Sequence, residues 1–275
     1  MRAILAAALI VLVTTGFSWL ERWAAPDARL VDEHWQRRGT MTSAVVDHAP
    51  WAAFLDAHLV VDPQGVHRLR YAAVGPADRR TLDAYVARLA ATEVTALDRE
   101  TQLAFWLNLY NALTVSAVLD AYPVASIRDI DGVWRAKRVR VEGRALSLDD
   151  IEHGIVRPIF ADPRIHYAFN CAAVGCPNLQ AEPFAAARLD AQLDAAAREY
   201  VNDPRGVTVT TGGEVVLSSI YNWFAEDFGD GEDVVLAHIA AFAEPSLAAR
   251  LAAADGIDGF AYDWALNDAD RDSRG

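Results

Sequence analysis

The sequence predicts an α+β fold in which helices pack on a small antiparallel sheet, with one main domain. Three observations carry that expectation. Apolar residues recur at helical spacing in several separate segments, most continuously from Thr101 to Asp120. Two short strand-like stretches fold back around turn pairs, Glu142-Gly143 and Gly212-Gly213. Over 275 residues, 53% hydrophobic and 23% charged, the chain has the composition of a globular protein and ample length for a core.

The elements follow in order. Met1-Arg2 precedes an apolar run from Ala3 to Val13, extended through Ser18, Trp19 and Leu20. A basic start and an apolar stretch predict a secretory signal peptide or a membrane anchor over residues 1–25, and hence a periplasmic or otherwise extracytoplasmic protein, secreted or anchored. Residues 26–97 read as a helical lead-in. In it Trp51, Phe54, Leu55 and His58 share one helical face, and Leu82, Tyr85, Val86 and Leu89 another.

The core domain is expected over 98–267, with a tail over 268–275. It opens with a helix from Thr101 to Asp120, N-capped by Asp98 and ended by Pro123. That helix is apolar nearly all round, which predicts burial. Asn108 and Asn111 lie three apart on one of its faces, and buried amides need partners. A hairpin is expected from Trp134 to Val141 and Arg144 to Leu146. Ser147, with Asp150 three residues on, opens a short helix carrying Glu152 and His153 and stopped by Pro158. The alternation from Arg164 to Asn170 predicts a strand with Ile165, Tyr167 and Phe169 on one side and His166 and Asn170 on the other. A helix from Phe184 to Tyr200, a hairpin from Val207 to Leu217, and helices over Val234–Phe242 and Ser246–Ala254 complete the pattern.

Charge and residue usage exclude several functions. The formal net charge is −13, so phosphate backbones would be repelled and no nucleic-acid partner is expected. Lys137 is the single lysine, which removes the phosphate loop that ends in Gly-Lys-Ser/Thr. No Gly-x-Ser-x-Gly and no His-Glu-x-x-His occurs. The acidic run from Glu226 to Asp233 reads as a solvated loop that caps the helix after it. The basic stretch Arg135, Lys137, Arg138, Arg140 and Arg144 reads as charge protection of a strand edge.

The two cysteines, Cys171 and Cys176, fall within Asn170-Cys-Ala-Ala-Val-Gly-Cys-Pro177, near His166 and Glu152-His153. Three chemistries suit such a cluster. Cys171 is a candidate thiolate nucleophile, with His153 or His166 as base and Glu152, Asn108, Asn111 or Asn170 orienting the base or lining an oxyanion site. A Cys171–Cys176 disulfide would instead staple a small loop in an oxidising compartment. Two imidazoles and two thiols suit tetrahedral zinc, but the histidine spacing matches no zinc pattern, so neither metal nor cofactor is expected.

These residues resemble a widespread bacterial family, the domain of unknown function numbered 547. The resemblance rests on Thr101-Gln-x-Ala-Phe-Trp-x-Asn-x-Tyr-Asn-Ala112, Glu152-His-Gly-Ile-x-Arg-Pro158, Asp162-Pro-Arg-Ile-His166, Asn170-Cys171 and Gly175-Cys-Pro177. Tyr221-x-Trp-Phe-x-x-Asp-Phe228 and Tyr262-Asp-Trp-x-Leu-Asn267 extend it. Asn178 stands where many relatives carry a second proline. The resemblance implies that Asn108, Asn111, Glu152, His153, Arg157, His166, Asn170, Cys171 and Cys176 belong to one motif set, and it implies no reaction. On the chemistry of those residues, the expected function is a thiol-dependent hydrolase or acyltransferase acting on an amide or ester of a small molecule or peptide. The competing expectation is a non-catalytic, disulfide-stapled module that binds a peptide or glycan.

Overall fold

Pro50 and Pro76 each sit in the first turn of a helix, where a missing N–H costs nothing. Helix α1 spans Ala49–His58 and α2 spans Pro76–Ala90. These belong to a computed structural model that describes residues 26–42, 46–63, 65–229 and 231–270. The signal or anchor expected over 1–25 lies outside the described residues, as do the last five residues of the tail. No helix among the described residues is long and apolar enough to cross a membrane.

Helix α3, Arg99–Ala121, is the centre of the molecule. The Asp98 carboxylate accepts from the Thr101 N–H at 2.8 Å, the cap its position predicts. Every residue from Thr101 to Val115 is buried, because the helix carries no polar stripe to turn toward water. Trp35 of the lead-in packs edge-on against Trp106, with ring centroids 5.2 Å apart. One apolar core runs from Trp35 through α1, α2 and α3 to Leu266. A second, smaller core joins Tyr167 to the carboxy-terminal third of the chain.

The strands are short. Strands β1 (Leu59–Val60) and β2 (Arg68–Leu69) pair antiparallel, as do β3 (Val139–Val141) and β4 (Arg144–Leu146). Strand β5 (Val207–Val209) pairs antiparallel with β6 (Val215–Ser218), and β7 (Gly259–Ala261) adds to β6 in parallel. The fold is therefore a mixed α+β single domain, as predicted, with its strands shared among three small sheets. The first core hairpin is shorter than the sequence suggests. Residues 134–136 form a turn and bend and 137–138 are irregular, so the strand begins only at Val139, and the Asp149 N–H ties the Trp134 carbonyl to the next helix at 3.0 Å.

That next segment changes its helical pitch along its length. Helix α4 (Leu148–Ile151) is opened by the Ser147–Asp150 capping box. It runs into a π-helical stretch, Glu152–Val156, and then α5 (Arg157–Phe160). The strand expected over Arg164–Asn170 is not formed. Pro163–Tyr167 is a 3₁₀ turn whose Asp162 side chain accepts from the Arg164 N–H at 2.9 Å. The Asp-Pro pair starts a helical turn, and Ile165 to Asn170 are all buried, so the apparent two-face alternation has no polar face.

Helix α6 covers Leu189–Val201, with a 3₁₀ turn at Ala186–Arg188 where the sequence predicts its beginning. Helices α7 (Ile220–Trp223), α8 (Ala225–Phe228), α9 (Glu232–Phe242) and α10 (Pro245–Ala252) follow. The acidic run is thus not a loop throughout, since Glu226 and Asp227 lie in α8.

Candidate functional site

The cysteine loop is held by amides. Asn111 donates from Nδ2 to the Ala168 carbonyl at 3.0 Å and accepts on Oδ1 from the Asn170 N–H at 2.9 Å. Asn170 in turn accepts from the Ala172 N–H at 3.0 Å and donates to the Pro177 carbonyl at 2.8 Å. These contacts pin both ends of the turn that contains Cys171 and Cys176. Its middle pairs with the end of the chain. The Val174 N–H donates to Ala265 O at 2.7 Å and the Gly175 N–H to Asp263 O at 2.8 Å. Gly175 lacks a side chain for a reason: a Cβ there would lie 2.6 Å from the Asp263 nitrogen.

This pairing delivers Tyr262 to the thiols. Its Oη lies 3.1 Å from Cys171 Sγ. Cys176 Sγ lies 2.9 Å from Cys171 Sγ and accepts from the Cys171 N–H at 2.9 Å. The two sulfurs lie side by side without an S–S bond in this structure. Cys171 is half-buried, whereas Cys176 is 5% exposed. The Cys176 thiol beside Cys171 draws its pKa below the ordinary value against the effect of burial, helped by Tyr262 and the Ala173 N–H. Burial pushes the Cys176 thiol well up, and the neighbouring Cys171 adds to this.

Glu152 stands close enough for its charge to act on Cys171. Burial pushes its carboxyl up to about 7, against a hydrogen bond from Tyr110 and the charge of Arg157. The next residue, His153, faces a different set of groups. Arg157 Nη1 lies 3.2 Å from His153 Nδ1. A guanidinium only donates, so Nδ1 accepts and the proton of the neutral ring sits on Nε2, 4.0 Å from Asp149 Oδ1. Burial first, and then Arg157 and His166, lower the His153 pKa to about 3.

His166 shares the Asp227 carboxylate with Arg157. Its Nε2 donates to Asp227 Oδ2 at 2.6 Å, and its ring stacks on Phe224 with centroids 4.4 Å apart. Burial lowers its pKa against that hydrogen bond. Burial alone would raise the Asp227 carboxyl, but His166 and Arg157 bring it down to about 2.

An extended strap crosses this cluster from the lead-in. The Arg29 N–H donates to His153 O and the Val31 N–H to Gly154 O, both at 3.0 Å, while Arg157 holds the Pro26 carbonyl at 2.6 Å. Gly154 leaves room for it, since a Cβ there would meet Val31 Cγ1 at 2.8 Å.

The predicted residues therefore divide into groups. Cys171 and Cys176 converge with Tyr262, and Glu152 lies within electrostatic reach of Cys171. His153, Arg157 and His166 converge with Asp227. Neither imidazole is a hydrogen-bond partner of Cys171, so the expected thiol–imidazole pair is not formed. The three asparagines all hydrogen-bond to backbone, and Asn108 commits both of its amide donors to it. Asn108 donates to the Ala104 and Phe184 carbonyls, each at 2.8 Å, and accepts from the Phe184 N–H at 3.0 Å. Among the described residues, no group of three histidine, cysteine or carboxylate side chains is arranged to hold a metal. A cavity of about 590 Å³ lies between Arg37, Thr95, Arg140 and Glu142, and none of the cysteine-loop residues lines it.

A family model described as "Protein of unknown function, DUF547" matches residues 94–201. This segment belongs to the DUF547 family. The DUF547 match contains α3, the Glu152–Arg157 segment and the cysteine loop, all of which carry the resemblance read from the sequence. Tyr262 and Asp227 lie beyond it, and composition and spacing gave them no role. Their signal was the two motifs in which they stand, Tyr221 to Phe228 and Tyr262 to Asn267. No curated protein and no solved structure matches the chain.

Proposed function

We propose that this DUF547 protein is a thiol-dependent hydrolase or acyltransferase, with Cys171 as the nucleophile acting on an amide or ester. One observation carries the reading. The sulfur of the half-buried Cys171 is flanked by Cys176 Sγ at 2.9 Å and Tyr262 Oη at 3.1 Å, within electrostatic reach of a buried carboxyl, Glu152, whose pKa burial raises to about 7. A stabilised thiolate next to a neutral acid is the pairing that acyl transfer needs at neutral pH.

In the first step the Cys171 thiolate attacks the carbonyl carbon and the electron pair moves to oxygen. As the carbon–oxygen double bond re-forms, the amine or alkoxide leaves with the Glu152 proton, and a thioester remains. In the second step the Glu152 carboxylate takes a proton from water or an acceptor, which attacks the thioester and releases Cys171 as thiolate. Glu152 thereby replaces the imidazoles as the proton carrier. The basic start and the apolar run from Ala3 to Val13 support an extracytoplasmic location.

The test is acyl trapping with p-nitrophenyl acetate on the reduced protein. One acetyl group mapped to Cys171, absent in Cys171→Ser under thioester-retaining conditions, is the expected result. Acetylation only at other side chains, with none at Cys171, sinks the assignment.

A second reading draws on the rings beside the thiols. Trp223, Tyr262 and Trp264 pack together with centroids 4.7 to 5.4 Å apart, each half-buried. Such a cluster suits a non-catalytic module that lays a peptide or glycan on aromatic faces. The same trapping experiment separates the two, since a binding module forms no thioester.

A further inference from the structure

We propose that Cys171 and Cys176 form a thiol–disulfide exchange pair that reduces an accessible organic disulfide, with Cys171 as the attacking sulfur and Cys176 as the resolving one. The inference stands on the arrangement of the two sulfurs and does not depend on the acyl-transfer reading.

The first support is proximity. The sulfurs are 2.9 Å apart, so an approach of less than about 1 Å reaches the bonded distance. They sit five residues apart in one turn, so the pair closes without a movement of helices or sheets. The second support is the difference in access. Cys171 is only partly buried and is the more accessible of the two to a disulfide from solvent, whereas Cys176 is 5% exposed. An exchange pair requires this division: the outer sulfur collects the substrate, and the inner one meets only the mixed disulfide. The third support is the hydrogen bonding. Tyr262 Oη, the Ala173 N–H and the Cys176 thiol all surround Cys171 Sγ, which favours its thiolate both as attacking group and as leaving group.

The exchange balances in two steps. The Cys171 thiolate attacks one sulfur of R–S–S–R′, forming a Cys171–S–S–R bond and releasing R′S⁻. Cys176 then attacks Cys171 Sγ, forming the Cys171–Cys176 bond, and its proton leaves with the departing RSH. The protein pair loses two electrons and the substrate disulfide gains them. A thiol in excess reverses both steps and restores the reduced pair.

The experiment treats the reduced, full-length protein with oxidised glutathione, followed by acid quenching at intervals and mass mapping without reduction. The expected course is a transient glutathione adduct on Cys171, followed by a Cys171–Cys176 disulfide and no retained glutathione. Cys176→Ser should hold the adduct on Cys171, at least about tenfold above its peak in the wild type, because the resolving sulfur is gone. Cys171→Ser should react at least about tenfold more slowly, since its remaining thiol is buried. If Cys176→Ser does not fold, the wild-type time course decides alone. A wild-type protein that keeps glutathione on Cys171 without forming the internal bond overturns the proposal, as does one in which neither sulfur reacts. The acetyl trap reports on acyl transfer in a separate reduced sample, so either reading can fail while the other stands.

Discussion

Arg157 Nε lies 2.5 Å from Oδ2 of Asp227, 70 residues further along the chain, and the Arg157 side chain has no exposed surface. The same guanidinium meets Glu226 at 2.7 Å and sits 4.8 Å above the Phe224 ring. A buried cation of this kind is tolerable only because carboxylates, a carbonyl and a ring face surround it. It joins three parts of the chain: the strap at Pro26, the π-helical stretch at His153, and helix α8.

Removing one member of a buried pair leaves the other uncompensated. Arg157→Met is expected to destabilise the protein by about 3–5 kcal/mol in urea unfolding. Arg157→Lys should recover only part of this, because an ammonium cannot make the fork of hydrogen bonds that the guanidinium makes. A Met variant as stable as the wild type would show that the pair holds nothing together.

Stability should fall on mild acidification. His153 in the folded protein titrates at about 3 and His48 at about 4, both lowered chiefly by burial from 6.5. Between those values and 6.5 the unfolded chain takes up protons that the folded one refuses, so stability drops as the pH falls through that window. Asp227 acts lower still: its contribution is present above 3.8 and lost as the pH falls toward about 2. Urea midpoints measured from pH 7 to pH 4 check this, and a midpoint that rises over that range contradicts it.

Glu152 works in the opposite direction. Its folded pKa is raised from 4.5 to about 7, so the stability linked to its protonated form is complete below 4.5 and is lost as the pH climbs to about 7. Glu152→Gln keeps an acceptor for Tyr110 without the buried charge. The variant should exceed the wild type at pH 8 by on the order of 2–3 kcal/mol and lose any hydrolytic turnover. A variant less stable than the wild type at pH 8 refutes the assignment of a buried, ionising carboxyl.

Local signals in the sequence located most of the helices. Asp98, Ser147 and Pro123 mark helix ends by backbone chemistry that needs no tertiary context, and the structure places those ends within a few residues. The 164–170 segment misled because alternation describes a strand only when one face meets water, and there every residue from Ile165 to Asn170 is enclosed. The site was legible in residue type but not in grouping. Glu152, His153, Arg157, His166 and the cysteines all lie near one another, yet a single residue's step along the π-helical stretch sends Glu152 toward the thiols and His153 toward Arg157. Asp227 was hidden in an acidic run that looked solvated, and only the long-range return of α8 places it against a buried arginine.

The fit of the strap can be tested by exchange of bulk. Gly154→Ala places a methyl 2.8 Å from Val31 Cγ1 and 2.9 Å from Val31 Cβ. It should cost about 1–3 kcal/mol and open residues 26–31 to limited proteolysis. Val31 is 48% exposed, so Val31→Ala alone should change stability by less than about 0.5 kcal/mol. Because Val31→Ala keeps the Cβ that would lie 2.9 Å away, it is Val31→Gly combined with Gly154→Ala that should restore much of the lost stability, and a Val31→Gly double variant no better than Gly154→Ala would mean that the clash lies elsewhere.

Asn108 separates scaffold from chemistry. Its amide satisfies the Phe184 N–H and C=O together with the Ala104 carbonyl, and Nδ2 also lies 3.4 Å from His48 Nε2. Asn108→Leu is close in shape but strands buried backbone groups, each of which costs about 1–3 kcal/mol when left without a partner. The expected result is a protein destabilised by about 2–4 kcal/mol whose Cys171 still alkylates with iodoacetamide at the wild-type rate under folding conditions. An oxyanion donor would behave in the reverse way, with stability little changed and thioester formation from p-nitrophenyl acetate slowed by about a hundredfold or more. Measuring unfolding and acylation on the same preparation distinguishes the two patterns, and slow acylation in a fully stable variant would return Asn108 to the site.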